Sequence, residues 1–383
     1  MSRVLIVATA GAGGDLQPLV AAALALRHRG HETLLVGDRT VGRSLSPLGV
    51  ETRVLPPELD LGPRLVAAIR DGMAASGGDL SAAGPMVKDR MTAWARETAS
   101  PVADVVREFG PAVVVTSLFG VEVLTAVSPS CPWAVVNSTF FVGPNPPRPL
   151  EADFGPRAVA LIGHFAALLG SADLVLHATD RIFDFSFAGL PADHHYVGPL
   201  GVWEPTTQPP AYLDQPGDPW VLVTISSQFQ DDVPLLQAVL TALAGRSVRV
   251  VATLGTDHAA EEVATVPKNA RIEQTVSHSA VLARGALMVS HAGHGSVMKA
   301  LWHGRPMVLV PWGRDQPGVA ARAGALGVAH VIPRDELSTD VLGTAVDRAL
   351  TDARMAEASA RMRERLLDTD PPGTTASLLE TLL

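Results

Sequence analysis

Histidines, glycines and a serine follow an apolar run in the second half of the chain. Residues 290–296 read Ser-His-Ala-Gly-His-Gly-Ser, between the strand-like segment 286–289 and a helical segment that ends near Trp302. Small residues let the backbone N–H groups at a helix start approach an anion closely, and the positive end of the helix dipole adds to the attraction. We therefore predict that this turn binds phosphate and that His291 donates a hydrogen bond to it.

The histidines of this turn also allow other interpretations. His291 and His294 are three residues apart, as two metal ligands on one helical face would be. A metal site needs further ligands, and no third ligand follows nearby in the sequence. We predict no metal here. Packing of His291 in the core is the other alternative, and the adjacent Gly293 and Ser296 favour the phosphate role.

Two further turns of the same half carry polar side chains after apolar runs. Ser226 and Ser227 follow one run, and Asp315 and Gln316 follow another. Asp and Gln side by side offer acceptors and donors that suit vicinal hydroxyls, although Asp315 also suits the N-cap of the next helix. Because open α/β sheets bind ligands at the carboxyl ends of their strands, the turns together favour a nucleotide-type ligand.

Glycines also follow the first apolar run, at residues 11–14. The pattern superficially suggests a dinucleotide fingerprint, but Leu16 occupies the position where that fingerprint needs a small residue. We therefore predict no nicotinamide or flavin cofactor. A tight turn explains the glycines alone, but it does not explain Asp15, a carboxylate placed at the carboxyl end of a strand.

Short Val/Ile/Leu runs alternate with longer segments of helical periodicity along the chain. This alternation is typical of βαβ units, so we predict an α/β fold with two doubly wound parallel sheets. The predicted strands are 4–8, 32–36, 52–55, 112–116, 134–137, 174–177, 220–225, 248–252, 271–275, 286–290 and 307–310. The main predicted helices are 16–29, 86–109, 157–169, 233–243 and 295–303, and the chain from about Glu336 is helical with a break at Pro371–Pro372.

Residues 198–220 hold six prolines and few residues of buried type. Proline cannot sustain a helix interior or a central strand, so we predict a linker at residues 201–219. The predicted N-terminal domain then spans residues 1–200 and the C-terminal domain residues 220–365. A C-terminal helix at 366–383 follows.

The composition excludes several classes of protein. The chain of 383 residues has a formal net charge of −9, which disfavours nucleic acid and anionic membrane surfaces as partners. Cys131 is the only cysteine, which excludes an internal disulfide and indicates a reducing compartment. No window reaches about 18 uninterrupted apolar residues, and the first residues do not resemble a signal peptide. We predict a cytoplasmic protein without an integral membrane segment, a monomer or a homodimer.

The motifs together resemble the donor-binding signature of family 1 glycosyltransferases with the GT-B fold, in particular bacterial enzymes of the antibiotic, macrolide and sterol type. The matching segments are the loop 274–282, the turn 291–296, Gly304-Arg305-Pro306, Pro311 and Asp315-Gln316. The turn Gly14-Asp15-Leu16-Gln17-Pro18 is similar to the N-terminal turn of the sterol and glycopeptide-antibiotic members. The resemblance covers nearly the whole chain.

The resemblance implies two Rossmann-like domains facing across a cleft, the first binding the acceptor and the second an activated nucleotide sugar. The C-terminal helix would pack back on the N-terminal domain. The implied reaction is an inverting, metal-independent transfer from a UDP- or dTDP-sugar to a small apolar natural product, with no further cofactor. Displacement at an anomeric centre needs a base for the acceptor and a positive field for the departing diphosphate. Asp15 would be the general base.

By the same resemblance, the nucleotide sugar would contact the three turns of the second half and the loop 274–282. The donor-binding residues would be Ser226, Ser227, Val276, His291, Gly293, His294, Gly295, Ser296, Asp315 and Gln316. Polar and aromatic residues of the first half are the acceptor-binding candidates, although core packing also explains the phenylalanines. These candidates are Ser117, Phe119, Asn137, Phe140 and Phe141.

Three residues depart from the family pattern. Thr275 stands where many relatives have an aromatic near the base, and Ser277 replaces a common proline. Lys299 stands where relatives often carry a glutamate that holds the ribose; it either meets phosphate or lies on a solvated helix face. These departures leave both UDP and dTDP open.

Two other functions stay open beside the transferase. One is a nucleotide-sugar epimerase of the same fold, although the turns do not offer several acid/base groups beside a sugar ring. The other is a non-catalytic nucleotide-sugar-binding helper protein. The joint presence of Asp15, His291, Asp315 and Gln316 argues against a decayed site.

Overall fold

A computed structural model describes residues 1–8, 14–39, 41, 48–75, 84–155, 159–202, 204, 208–227, 230–255 and 258–383. Residues 11–13 of the first predicted turn and residues 203 and 205–207 of the predicted linker lie outside these ranges. The chain divides into two compact units, Met1–Trp203 with Asp370–Leu383, and Glu204–Thr369. Among the helices of the described ranges, none has both the length and the apolarity to cross a bilayer.

The first unit is built on a parallel sheet. In sheet order, the described strands are β3 (Glu51–Val54), β2 (Glu32–Gly37), β1 (Arg3–Val7), β4 (Val113–Ser117), β5 (Trp133–Asn137), β6 (Leu174–His177) and β7 (His194–Tyr196). The described helices before the second unit are α1 (Leu16–His28), α2 (Leu61–Ala75), α3 (Gly84–Phe109), α4 (Val121–Val127), α5 (Leu150–Phe154) and α6 (Val159–Leu169). Because paired strands are parallel, their carboxyl ends share one edge.

Nearly continuous apolar runs form the central strands, because a sheet covered on both faces buries every side chain. Residues 4–7 in β1 and residues 113–115 in β4 are at most 2% exposed. The predicted bounds of the first six strands agree with the structure to within one residue. The edge strand β7 is not predicted, because its three residues, His-His-Tyr, contain no apolar run.

The second unit repeats this architecture. In sheet order, its described strands are β10 (Ala270–Glu273), β9 (Arg249–Thr253), β8 (Trp220–Thr224), β11 (Gly285–Ser290), β12 (Met307–Leu309) and β13 (Ala329–Val331). Its described helices are α7 (Val233–Leu243), α8 (His278–Arg284), α9 (His294–Trp302), α10 (Gln316–Ala325), α11 (Thr339–Thr351) and α12 (Ala353–Leu367). Two Rossmann-like parallel sheets confirm the predicted fold class.

The last helix, α13 (Pro371–Glu380), belongs to the first unit. Its two prolines occupy the first turn, where a missing N–H costs nothing, so they begin the helix rather than interrupt one. Ala376 and Leu379 share a buried cluster with apolar residues of α1. Glu380 pairs with Arg29, just after α1, at 2.7 Å. Apolar packing and an ion pair thus attach the C-terminal helix to the first unit.

Glu204 and residues 208–219 lie in the second unit. The indole N–H of Trp220 donates to the carbonyl oxygen of Leu213 at 3.2 Å, and the guanidinium of Arg249 lies 4.1 Å from the centre of the Trp220 ring. In the described part of this segment, the regular structure is one 3₁₀ turn, Ala211–Asp214, as the prolines require. This stretch of the predicted linker therefore packs on the start of β8.

Candidate functional site

Three turns of the second unit follow the adjacent strands β8, β11 and β12, so they lie at one edge of the sheet. Hydrogen bonds made by side chains, described below, connect the turns with one another. The structure therefore brings together the predicted donor-binding residues of these three turns. At the start of α9, His294 is buried, whereas Gly295 and Ser296 are half-buried.

The ring of His291 is buried, with 7% of the residue exposed. Its Nδ1 lies 3.2 Å from the carbonyl oxygen of Thr224, at the end of β8. A carbonyl oxygen only accepts, so Nδ1 carries the proton and donates it. Burial lowers the pKa of His291. The negative charge of Asp232 acts in the opposite direction, and the positive charge of Arg314 lowers the pKa further. The ring is therefore neutral at physiological pH, with Nε2 as an acceptor.

The backbone beside this ring allows close approach. A Cβ at Gly293 would lie 2.5 Å from Nε2 of His291, so a larger residue does not fit there. Ala292 has a φ of +69°, in the left-handed region that favours glycine. Gly293 is the N-cap of α9, whose first N–H groups have no partner within the helix. These features suit an anion at the start of α9.

The turn after β8 is held by a buried carboxylate. The N–H of Ser226 donates to Oδ2 of Asp232 at 2.8 Å, and Nε2 of Gln230 donates to the same oxygen at 3.0 Å. The amide of Gln316 donates to Oε1 of Gln230 at 3.0 Å. Ser226 is buried and Ser227 is exposed. Gln230 is not predicted, because its contact with Gln316 is 86 residues away along the chain. Asp232 is not predicted either, although its contact with Ser226 lies within the same turn.

Gln316 shapes the turn after β12. Its Oε1 accepts hydrogen bonds from the backbone N–H groups of Trp312 at 2.8 Å and Gly313 at 2.9 Å. Asp315 stands at the N-cap of α10, as one interpretation predicts, but its side chain makes no capping hydrogen bond to that helix. The half-buried carboxylate of Asp315 is thus a better candidate for contact with sugar hydroxyls than the oxygen of Gln316.

A buried ion pair lies beside the loop that carries Val276, which is half-buried. Nζ of Lys299 lies 2.7 Å from Oε1 of Glu204, with the two side chains 6% and 13% exposed. The prediction of a solvated helix face for Lys299 is therefore wrong, because its charge is neutralised inside the unit. Oε2 of Glu204 accepts hydrogen bonds from the hydroxyl of Ser277 at 2.6 Å and the N–H of Ser279 at 3.2 Å. The pair thus connects α9 to the loop.

The ion pair also affects the pKa values of Glu204 and His278. Burial alone would raise the pKa of Glu204, but the Lys299 charge and hydrogen bonds from Lys299 and Ser277 hold it below its usual value. Desolvation, with the Lys299 charge adding, lowers the pKa of His278 to about 4, so that ring is neutral at physiological pH. Within the described ranges, no three His, Cys, Asp or Glu side chains are grouped in a way that could hold a metal ion.

In the first unit, Asp15 follows the turn after β1 and precedes α1. The residue is 3% exposed, and its carboxylate accepts a hydrogen bond from the hydroxyl of Ser138. Although Asp15 stands at the N-cap of α1, its side chain makes no capping hydrogen bond to that helix. Ser138 comes from the turn after β5, so no local pattern predicts this partner. The carboxylate is therefore oriented by the sheet edge rather than by its own helix.

Asn137, at the end of β5, orients the turn that carries Ser138. Its amide donates to the carbonyl oxygen of Phe140 at 2.7 Å and to Nδ1 of His177 at 3.0 Å. Nε2 of His177 lies 3.0 Å from Nδ1 of His194. Burial lowers the pKa of both imidazoles, so the chain of hydrogen bonds is uncharged at neutral pH. This chain holds the amide of Asn137 in a single orientation.

The acceptor candidates of the first unit differ in their surroundings. Ser117, Asn137, Phe140 and Phe141 have no exposed surface, whereas Phe119 is half-buried. The rings of Phe140 and Phe141 lie 5.2 and 5.1 Å from other phenylalanine rings, which supports the core interpretation of both. Among the described residues, the hydroxyl of Ser117 and Oδ1 of Asn137 have no hydrogen-bond partner. These two polar atoms are the stronger candidates to meet a polar group.

Comparison with known proteins adds to this geometry. Residues 237–382 match the family described as Erythromycin biosynthesis protein CIII-like, C-terminal domain. The chain is 32% identical over 225 residues to 4'-demethylrebeccamycin synthase of Lentzea aerocolonigenes, a match covering 58% of this chain and 52% of that protein. It is 27% identical over 407 residues to O-mycaminosyltylonolide 6-deoxyallosyltransferase of Streptomyces fradiae, a match that covers 93% of this chain and 92% of that protein.

The fold also matches solved structures over its whole length. A spinosyn rhamnosyltransferase complexed with thymidine diphosphate superimposes with a TM-score of 0.73 at 19% sequence identity, covering 99% of both chains. The match to the rebeccamycin relative spans about half of that protein. The matches to the tylonolide relative and to the spinosyn enzyme span nearly the whole length of those proteins. Sequence motifs, fold and relatives agree: the chain has the GT-B fold, and in sequence it is similar to family 1 glycosyltransferases of the antibiotic and macrolide type.

Proposed function

We propose that the protein transfers a sugar, with inversion and without a metal ion, from a UDP- or dTDP-sugar to a small apolar natural product. The observation that carries the proposal is the turn at residues 291–296. Gly293 of this turn lies against the His291 ring and is the N-cap of α9. The turn follows a strand that lies between the strands of the Ser226 and Asp315 turns. This arrangement offers backbone N–H groups to a diphosphate and a carboxylate to the sugar.

The proposed reaction is a displacement at the anomeric carbon. Asp15 accepts the proton of the acceptor hydroxyl, and the hydroxyl oxygen forms a bond to the anomeric carbon. At the same time the bond between the anomeric carbon and the β-phosphate oxygen breaks. The electron pair of that bond leaves with the nucleoside diphosphate, whose charge the N-terminus of α9 stabilises. Ser138 orients Asp15 through its hydrogen bond. No step requires a cofactor beyond the nucleotide sugar.

The substrate classes follow from the relatives and the site. The named relatives concern rebeccamycin, tylonolide and spinosyn compounds, and the spinosyn enzyme is solved with thymidine diphosphate. We extend these classes to this chain: an apolar natural-product acceptor bound by the first unit, and a nucleoside diphosphate sugar bound by the second. The predicted boundaries, 1–200 and 220–365, describe that division of labour. The nucleophile on the acceptor is a hydroxyl in the reaction proposed.

Thermal-shift measurements test the nucleotide part of the proposal. UDP or dTDP should raise the melting temperature, because a ligand of the folded state at 100 times its Kd adds about 2.7 kcal/mol. Stabilisation by NAD alone would overturn the proposal. Incubation of UDP-glucose or dTDP-glucose with a panel of aglycones, with and without EDTA, then tests transfer. Epimerised sugar without any glycoside, or binding without turnover, would contradict the transferase reaction.

Binding of the nucleotide sugar should take up a proton at His291. Its Nδ1 proton is committed to Thr224, so Nε2 must be protonated before it donates to phosphate. The pKa of His291 is lowered in the free protein and is raised by the diphosphate charge in the complex. Affinity should therefore fall by about tenfold per pH unit as pH rises between these two pKa values, and should be constant above and below them.

Calorimetry of dTDP-glucose binding in two buffers of different ionisation enthalpy measures that proton uptake. A nucleotide sugar is the right ligand because its diphosphate diester does not titrate near neutral pH. His291→Gln should bind without uptake of a proton. Tight binding by the wild type with no proton uptake at any pH would show that His291 does not donate to the diphosphate.

Asp315→Ala should reduce discrimination between nucleotide sugars that differ in one hydroxyl. A hydrogen bond to a charged group contributes about 1.5–3 kcal/mol, so the preference should fall by roughly 10- to 100-fold. Affinity for UDP or dTDP should be unchanged, since neither carries the sugar. Competition kinetics with UDP-glucose and UDP-galactose measure the ratio, and the exposed Asp335→Ala is the matched control. Unchanged sugar preference in Asp315→Ala would disprove this role.

A further inference from the structure

Arg314, in the turn between β12 and α10, has a backbone conformation that does not suit its side chain. Its φ is +58°, in the left-handed region where glycine is the usual residue. Such conformations persist where the surrounding structure enforces them, and they are concentrated at binding and active sites. The conformation does not by itself indicate a function. It raises the question of what the side chain of Arg314 contacts.

The guanidinium of Arg314 lies beside the turns that follow two other strands. Its Nη1 lies 3.4 Å from the hydroxyl of Ser226, in the turn after β8. Its charge is also close enough to His291, in the turn after β11, to lower the pKa of that ring. Arg314 is exposed, so a ligand at this sheet edge can reach it. The three strand turns thus meet around one cationic side chain.

A charge count shows why this matters for a departing diphosphate, which gains negative charge and needs positive groups nearby. In the free protein His291 is neutral at physiological pH and gains a charge only with the proton that donor binding adds, and the charge of Lys299 is matched by Glu204 at 2.7 Å. The N-terminus of α9 supplies about half a positive charge. Arginine stays charged at every accessible pH, and its planar fork fits two phosphate oxygens at once.

We propose that Arg314 is a donor-binding residue that holds the diphosphate of the nucleotide sugar and stabilises its charge as it leaves. The inference rests on the proposed function, because it assigns a residue to the same donor site. The contact with the Ser226 hydroxyl is one contact of the resting side chain, and phosphate oxygens replace it when the donor binds. The site then selects nucleoside diphosphates over monophosphates, because the second phosphate reaches Arg314.

The variant Arg314→Gly tests the proposal with little risk to folding, because glycine suits a φ of +58°. Its melting temperature without ligand should not fall below that of the wild type. Its Kd for UDP and dTDP should rise by about 10- to 100-fold, as expected for loss of a charge-assisted, two-pronged contact. Its Kd for UMP and dTMP should be nearly unchanged. Arg314→Lys, which keeps the charge without the fork, should lie between the two.

The matched control is Arg361→Gln, which removes one positive charge from an exposed pair with Glu357 on α12. It should bind UDP and dTDP like the wild type. Equal diphosphate affinity in Arg314→Gly and wild type would overturn the proposal, as would an equal loss in Arg361→Gln. Failure of the wild type itself to bind any nucleoside diphosphate would instead disprove the proposed function, so the two failures are distinguishable.

Discussion

Asp15→Asn is expected to reduce glycosyl transfer by about 10²- to 10⁴-fold, the usual contribution of a general base. Asparagine has nearly the same shape and still accepts the hydrogen bond from Ser138 through its oxygen. It cannot take a proton from the acceptor. The fold and the affinity for UDP or dTDP should therefore be unchanged, because Asp15 lies in the first unit and the turns proposed to bind the nucleotide lie in the second. The measurement is initial velocity with an acceptor that the wild type glycosylates.

A matched control is available at the other edge of the same sheet. Asp173 precedes β6, and its carboxylate accepts a hydrogen bond from the N–H of Trp133 at the start of β5, at 2.9 Å. Asp173→Asn changes the same functional group at the amino ends of the strands, where parallel sheets do not bind ligands. It should transfer sugar like the wild type. Full turnover in a folded Asp15→Asn protein would show that another group is the base.

Ser138→Ala separates the carboxylate itself from its orientation. Without the hydroxyl donor the carboxylate keeps its ability to accept a proton but loses one constraint on its direction. We expect turnover to fall by about tenfold, the effect of one hydrogen bond, which is a smaller loss than in Asp15→Asn. A loss as large as that of Asp15→Asn would mean that the serine hydroxyl takes part in the proton transfer itself.

The conformation of the turn at residues 290–296 could be predicted because its information is local. Residues 290–296 follow one strand and begin one helix, and the glycine and histidine of the turn touch each other. The same holds for the strands, whose apolar runs are continuous. Where a side chain works through a distant partner, the sequence has no signal. Ser138 meets Asp15 across 123 residues, and Gln230 meets Gln316 across 86.

Gln316 shows a different limit of sequence interpretation. A carboxamide in a polar turn suits either a ligand or the turn's own backbone, and the residue type does not decide between them. The structure uses its oxygen for two backbone N–H groups. Phe140 and Phe141 illustrate the same limit for apolar residues, because a pocket wall and a core need the same side chains. Only the packing around the rings distinguishes the two.

Lys299→Ala is expected to lower the free energy of unfolding of the second unit by about 3–5 kcal/mol, the cost of removing one partner from a buried ion pair. The Glu204 carboxylate, 13% exposed, would lose the ammonium group at 2.7 Å while keeping its burial. The loop should also loosen, because the same carboxylate holds Ser277 and Ser279. Urea unfolding monitored by tryptophan fluorescence measures the loss.

The pH dependence identifies the cause of that loss. In the wild type the pKa of Glu204 in the folded protein lies below its usual value. The ion pair therefore stabilises the fold at pH values above the pKa of Glu204 in the unfolded chain. This stabilisation is lost as pH falls through the pKa of Glu204 in the folded protein. In Lys299→Ala, burial without the lysine raises the folded pKa, so the penalty is present at neutral pH and disappears when Glu204 is protonated. The difference between the two proteins should therefore shrink on acidification from pH 7 to about pH 4.

A matched control uses an exposed pair of the same unit. Arg284 lies 2.5 Å from Asp214, with the side chains 33% and 64% exposed, and such pairs contribute about 0–1 kcal/mol. Arg284→Ala should therefore cost far less than Lys299→Ala. The double variant Glu204→Gln with Lys299→Met should recover most of the stability, because no unpaired charge is left inside. A Lys299→Ala deficit that is small, or that is the same at pH 7 and pH 4, would show that the pair does not hold this loop.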